Sequence, residues 1–267
     1  MDLFVAGGRK AVLGMIHLQP LPGTPYHRED GLPDIVRTAV DSALALRRGG
    51  ATGCLVQTVD RVYAAEDESD PARTAAMALI VKAIADATGP DFPVGVQLMR
   101  NAVTASLAVA KVAGGSYIRA GALVGATMTA SGLVQADPLR VMEYRKKINA
   151  EDIEIVAEVD SMHFSWYGGG ASTAHVARQA RYVGADAVSL GHPDEATTLK
   201  MIAAVREAVP GLPIVLAGYT NHDNAARLLA AADGAFVGTC LEDGGWGGRI
   251  DVEKVKAYTD IVAGIVN

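Results

Sequence analysis

Short runs of apolar, β-branched-rich residues alternate along the whole chain with longer stretches whose apolar positions recur at helical spacing. The runs are "AVLGMIH" (11–17), "GCLVQT" (53–58), "PVGVQLM" (93–99), "SYIRA" (116–120), "IEIVAEV" (153–159), "DAVSLG" (186–191), "PIVLAG" (213–218) and "GAFVG" (234–238). Each reads as a strand buried on both faces, as in a parallel sheet covered by helices. Stretches such as "PDIVRTAVDSALALRRGG" and "EATTLKMIAAVREAVPG" read as helices, closed by a glycine that can take the left-handed turn after a helix.

Eight successive β-then-α units predict an α/β protein, a single (β/α)8 TIM barrel over residues 1–267 with no linker or low-complexity segment. A doubly wound open sheet competes with it, but no G-x-G-x-x-G follows the first strand, which continues into "HLQPLPG". In a barrel, function gathers where the strands end at their C-terminal side. Along the chain, that rim holds His17; Gln57, Thr58 and Asp60; Gln97, Arg100 and Asn101; Arg119; Glu158, Asp160 and His163; His192 and Asp194; and Thr220 with Asn224.

Half of the chain is hydrophobic, enough for a substantial core, and the net charge of −6 includes no Lys/Arg block. That balance argues against a nucleic-acid or anionic-membrane surface and makes a small molecule the expected partner, which the turns after the last two strands narrow to a phosphorylated or anionic metabolite. No run approaches the roughly 18 apolar residues of a membrane span, and "MDLFVAGGRK" lacks the build of a signal peptide, so a cytoplasmic location is expected. Cys54 and Cys240 are too few for a disulfide framework and read as reduced thiols. A homo-oligomer is left open.

The last two units each run from a strand into glycine and threonine, Gly218 with Thr220 and Gly238 with Thr239. Glycine lets the backbone approach a ligand closely, and free N–H groups at such a turn attract an anion, so Gly218, Tyr219, Thr220, Gly238 and Thr239 are candidate phosphate binders. Tight βα turns are the structural alternative.

"MIHLQPLPGTP", "MRNAVTASLAVAKVAGGSYIRAG" and "ADGAFVGTCL" give the chain, over nearly its whole length, a resemblance to the BtpA/SgcQ family. The resemblance implies a phosphate-binding-type TIM barrel, and some members of that family are linked to photosystem I biogenesis. The chain departs from the family pattern at "VQTVDR", at Gln97 in place of an asparagine, at "SLGHPDEA", and at "AEVDSMH", where Glu158 replaces an aspartate and Met162 a lysine while His163 is kept. It reads as a divergent branch.

Schiff-base chemistry is disfavoured because Lys82, Lys111, Lys146, Lys147, Lys200, Lys254 and Lys256 fall on predicted helices and Lys10 precedes the first strand. Acid–base chemistry by carboxylates and histidines remains, of lyase or isomerase type. Glu158 is the first candidate base, with His17, His163 and Asp60 as further catalytic candidates; a salt bridge from Glu158 to Arg100 or Arg119 is the structural alternative. Gln97, Arg100, Arg119 and His192 are candidate substrate binders, the arginines suiting a second anionic group. The sequence specifies no cofactor; a divalent metal, if held, would draw on Glu158, Asp160, His163 and His192. His17 ends its strand before the stiff "LQPLPG" loop, a placement suited to proton transfer or to a structural hydrogen bond. Trp166 and Trp246 lie in glycine-rich loops that could close over a ligand. The expected function is acid–base chemistry on a phosphorylated sugar or related metabolite; the alternatives are a nucleosidase or hydrolase of a nucleoside-like substrate and a non-catalytic membrane-complex biogenesis factor.

Overall fold

The computed structural model describes residues 10–265. Its first half runs β1 (Ala11–Leu18), α1 (Leu32–Arg48), β2 (Gly53–Thr58), α2 (Pro71–Thr88), β3 (Val94–Gln97), α3 (Val103–Ala113), β4 (Tyr117–Ala120), β5 (Ala126–Thr129), β6 (Gly132–Gln135) and α4 (Pro138–Lys147). It continues through β7 (Glu154–Asp160), α5 (Thr173–Tyr182), β8 (Ala187–Leu190), α6 (Glu195–Ala208), β9 (Ile214–Leu216), α7 (Ala225–Ala231), β10 (Gly234–Val237), β11 (Glu242–Asp243), β12 (Arg249–Ile250) and α8 (Val252–Ala263). Eight parallel strands close in the order β1-β10-β9-β8-β7-β4-β3-β2, the (β/α)8 barrel that the sequence pattern predicts. Among the described residues, no helix is long and apolar enough to cross a membrane.

Alternation along the strands divides the core in two. Leu13, Met15, Leu55, Tyr117, Val156 and Phe236 pack together inside the barrel. Val12, Ile16, Val56, Ile118, Ile155 and Val188 join the larger layer between sheet and helices. Filling the barrel needs small residues opposite large ones. A Cβ on Gly95 would stand 2.2 Å from the Tyr117 ring, so that position stays bare. Tyr117 can then reach across and donate its hydroxyl to the Cys54 carbonyl oxygen at 2.8 Å.

Aspartates begin the helices: Asp70, Asp137, Asp194 and Asp251 each accept N–H groups of the first turn of α2, α4, α6 and α8. Asp194 therefore has a capping role at the rim. At the opposite end, Asp186 accepts from Ile155 N–H and Arg145, and Asp233 accepts from Ile214 N–H and Arg206. The same aspartate latch thus ties a helix arginine to two successive strands twice.

Two strands are three residues shorter than their apolar runs. The run 213–218 yields only Ile214–Leu216, because Gly218 (φ +111°) and Tyr219 (φ +60°) turn the chain out of the sheet. Strand β3 stops at Gln97 and not at Met99. The antiparallel pairs β5–β6 and β11–β12 lie in βα loops, and no long apolar alternation announces them.

Candidate active site at the barrel mouth

On each barrel strand, the residue two positions beyond the last interior apolar or glycine position faces the mouth. This parity selects His17, Gln57, Gln97, Arg119, Glu158, Ser189, Ala217 and Gly238 in the strand registers. Six of the eight are polar. Each of those six leaves at least one buried atom without a hydrogen-bond partner among the described residues: His17 Nδ1, Gln57 Oε1, both amide atoms of Gln97, Arg119 Nε, Glu158 Oε2 and Ser189 Oγ. A buried polar atom left unpaired costs about 1–3 kcal/mol, so such a ring points to a ligand site.

Above this ring lies a cavity of about 910 Å³. Its wall includes His17, Gln57, Arg100, Arg119, His163 and Trp246, together with Gly218, Tyr219, Thr220, Gly238 and Thr239, all of which the sequence had suggested. Tyr63, Met99 and Phe236 line it as well. No aspartate or glutamate and no lysine is part of that wall. The chain has an acidic excess, so this selection is electrostatically pointed.

Gly218, Tyr219 and Thr220 form the cradle after β9. Asn224 Nδ2 donates to the Tyr219 carbonyl oxygen at 2.9 Å, and the Thr220 and Tyr258 hydroxyls share a buried hydrogen bond of 2.6 Å. These contacts fix the loop, while the N–H groups of Gly218, Tyr219 and Thr220 donate to no acceptor among the described residues. After β10, the chain turns at Gly238 into a 3-10 turn, Thr239–Leu241. A Cβ on Gly238 would lie 3.4 Å from His17 Cε1, so the glycine also leaves room for the imidazole. Burial pushes the neighbouring Cys240 thiol up to about 11, which keeps it protonated near neutrality.

His17 has Glu242 behind it, with Nδ1 and Oε1 separated by 3.6 Å. The Glu242 carboxylate is buried and also accepts Gly247 N–H at 2.7 Å, linking the imidazole to the glycine-rich loop. Trp246 at the tip of that loop is exposed, with its ring 5.9 Å from that of His17. Trp166 does not reach the cavity; it packs edge-on against His175 at 6.1 Å.

Across the mouth, Arg119 donates to Glu158 Oε1 at 2.6 Å, and its guanidinium lies over the Phe236 ring. Ser161 Oγ donates to the same oxygen at 2.6 Å and accepts His163 N–H at 3.0 Å. Burial, and secondarily the positive charges of Arg119 and Arg100, lowers His163 to about 4 despite the opposing pull of Glu158. The ring is therefore neutral at physiological pH. Arg100 Nη1 faces Nδ1 at 3.5 Å and Nη2 donates to the His163 carbonyl oxygen at 3.2 Å. A cation at Nδ1 favours a proton on Nε2.

The structure corrects several expectations. Asp60, read as catalytic, is completely buried outside the cavity wall; it pairs with Arg73 at 2.8 Å and accepts Leu21 N–H at 3.0 Å. Arg73 also reaches Thr58 and the Met99 carbonyl oxygen, making a brace for three loops. Glu158, the first candidate base, lies behind Arg119 and does not line the cavity. The salt-bridge alternative describes its geometry. Gln97 belongs to the ring beneath the cavity and not to its wall. Asn101 exchanges hydrogen bonds with Ala122. His192 is exposed, outside the wall, and its Nδ1 accepts Asp194 N–H.

The suggested metal set does not assemble. A register shift between Glu158 and Asp160 re-aims the latter, whose carboxylate accepts from the Thr173 hydroxyl at 2.6 Å. Among the described residues, no three His, Cys, Asp or Glu side chains gather to hold a metal ion. Sequence reasoning missed Glu242, Ser189, Tyr63 and Phe236. Strand parity could have found Ser189 and Phe236; Glu242 follows the short turn after β10, where no period applies.

Fold and mouth together define a (β/α)8-barrel protein with a polar cavity at the C-terminal ends of its strands. The chain belongs to the BtpA family, whose family model matches residues 8–264. The photosystem I biogenesis protein BtpA of Synechocystis sp. is 29% identical, with 98% of this chain and 92% of that protein covered. An uncharacterized protein of Methanocaldococcus jannaschii is 26% identical, with 95% of each chain covered. Among solved structures, the tryptophan synthase alpha chain of Legionella pneumophila has a TM-score of 0.60 at 12% identity, covering 96% of this chain and 93% of that one. Thiamine phosphate pyrophosphorylase of Pyrococcus furiosus gives 0.58 at 20% identity, covering 97% and 98%. At these identities the structural likeness speaks for the fold alone.

Proposed function

We propose that this chain is a cytoplasmic enzyme that performs acid–base chemistry, of lyase or isomerase type, on a phosphorylated sugar or related metabolite. The observation that carries the reading is one cavity joining the two glycine-threonine turns to a ring of unpartnered polar groups, with no carboxylate on its wall. The phosphate would lie against Gly218, Tyr219, Thr220, Gly238 and Thr239, where backbone N–H groups can surround it. His17, with the Glu242 carboxylate 3.6 Å behind it, would be the base that removes a proton beside a substrate carbonyl. Neutral His163, with its proton on Nε2, is suited to donate a hydrogen bond to the developing enolate oxygen. Glu158 then serves by fixing Arg119 and Ser161. No lysine is on the wall to form a Schiff base.

Thermal-shift screening of phosphosugars against inorganic phosphate tests this. A phosphosugar at a hundred times its Kd should stabilise the fold by about 2.7 kcal/mol. His17→Asn should then lower turnover of the sugar that binds by about 10²–10⁴-fold with little loss of affinity. Equal shifts with every sugar and with phosphate alone, or unchanged turnover in the variant, would sink the enzyme reading. The name of the Synechocystis relative favours a second reading, a biogenesis factor. That role would survive His17→Asn and Glu158→Gln in a complementation assay.

A further inference from the structure

Arg100 lines the cavity, yet its guanidinium contacts only the His163 ring and carbonyl oxygen, and it meets no carboxylate among the described residues. Arg119 lines the same end; its charge is matched by Glu158, but its buried Nε has no partner. Two guanidinium groups and one carboxylate leave this end with a net positive charge, because His163 is neutral there.

The barrel order gives that excess a direction. In the closed ring, β3, which leads to Arg100, stands opposite β9, and β4, which carries Arg119, stands opposite β10. The cavity's anion-attracting groups therefore meet across the mouth: backbone N–H groups after β9 and β10 on one side, Arg100 on the other, and the Arg119 guanidinium reaching between them over the Phe236 ring of β10. Asn101 holds the Arg100 loop in place through its hydrogen bonds to both backbone groups of Ala122. A sugar phosphate with no second anionic group would satisfy only one side and leave the other charge partly desolvated without a partner, which is unfavourable.

We infer that the substrate carries two anionic groups at opposite ends, a phosphate against the turns after β9 and β10 and a carboxylate against Arg100 and Arg119. The substrate class is a phosphorylated sugar acid or a comparable phosphorylated carboxylate. This rests on the phosphate reading above and narrows it. The planar fork of arginine matches a carboxylate in bidentate contact.

Calorimetric titrations with erythronate phosphate, erythritol phosphate and erythronate separate the two claims. The expected result is at least ten-fold tighter binding of erythronate phosphate than of erythritol phosphate. Arg100→Met should abolish that preference, weakening erythronate phosphate far more than erythritol phosphate, and Arg100→Lys should keep part of it. Equal affinity of the two phosphates for the unmodified protein overturns the second anionic group and spares the phosphate site. A preference unaltered in Arg100→Met overturns the assignment to Arg100. If erythronate binds and neither phosphate improves on it, the phosphate reading falls, and this inference with it.

Discussion

His163 makes acid sensitivity a property of one side chain. In the unfolded chain its imidazole takes up a proton near 6.5, whereas the buried native ring refuses it until about 4. Between these values the unfolded state binds more protons, so the native state loses stability as pH falls from 6.5 to about 4 and has the full benefit above that window. The loss should reach roughly 3 kcal/mol at the acid end, and His163→Gln should flatten that part of a stability–pH curve measured by urea unfolding. Glu158 poses a different question. Arg119 and Glu158 are both almost wholly buried, so Glu158→Gln strips the guanidinium of its counter-charge and should reduce stability by roughly 3–5 kcal/mol. Combining it with Arg119→Met should recover most of that loss. A Glu158→Gln protein that melts like the parent and yet turns over nothing would return Glu158 to the role of base.

At the scale of elements, the two ends of the barrel do different work. The latches at Asp186 and Asp233 join a helix arginine and a strand N–H at the end remote from the cavity. Asp233→Ala should lower the melting free energy by about 1–3 kcal/mol while leaving ligand affinity in the same titrations unchanged. The strands and most helices were readable because the apolar period marks the eight units and a glycine closes α1, α2, α3 and α8, although none closes α4 or α7. The site was readable where it obeyed the same geometry: His17, Arg119 and the glycine-threonine turns stand at strand ends and reached the mouth. It failed where loops decide. Asp60 follows β2 by two residues, and nothing in "VQTVDR" shows that Arg73, on the next helix, will take it. Glu242 reaches His17 only because the 3-10 turn after β10 swings it there.

For the whole molecule, the ring of unpartnered groups sets stability against use. The same atoms that would receive a ligand weaken the fold when they are left unpaired. Gln97 leaves both amide atoms unpaired inside the barrel. Gln97→Met should therefore raise the melting temperature measured by calorimetry, by roughly 2–4 °C per kcal/mol gained. Six polar side chains with unpartnered buried atoms at the mouth are a standing cost to this fold that an apolar ring would not carry, and any molecule that pairs with them relieves it.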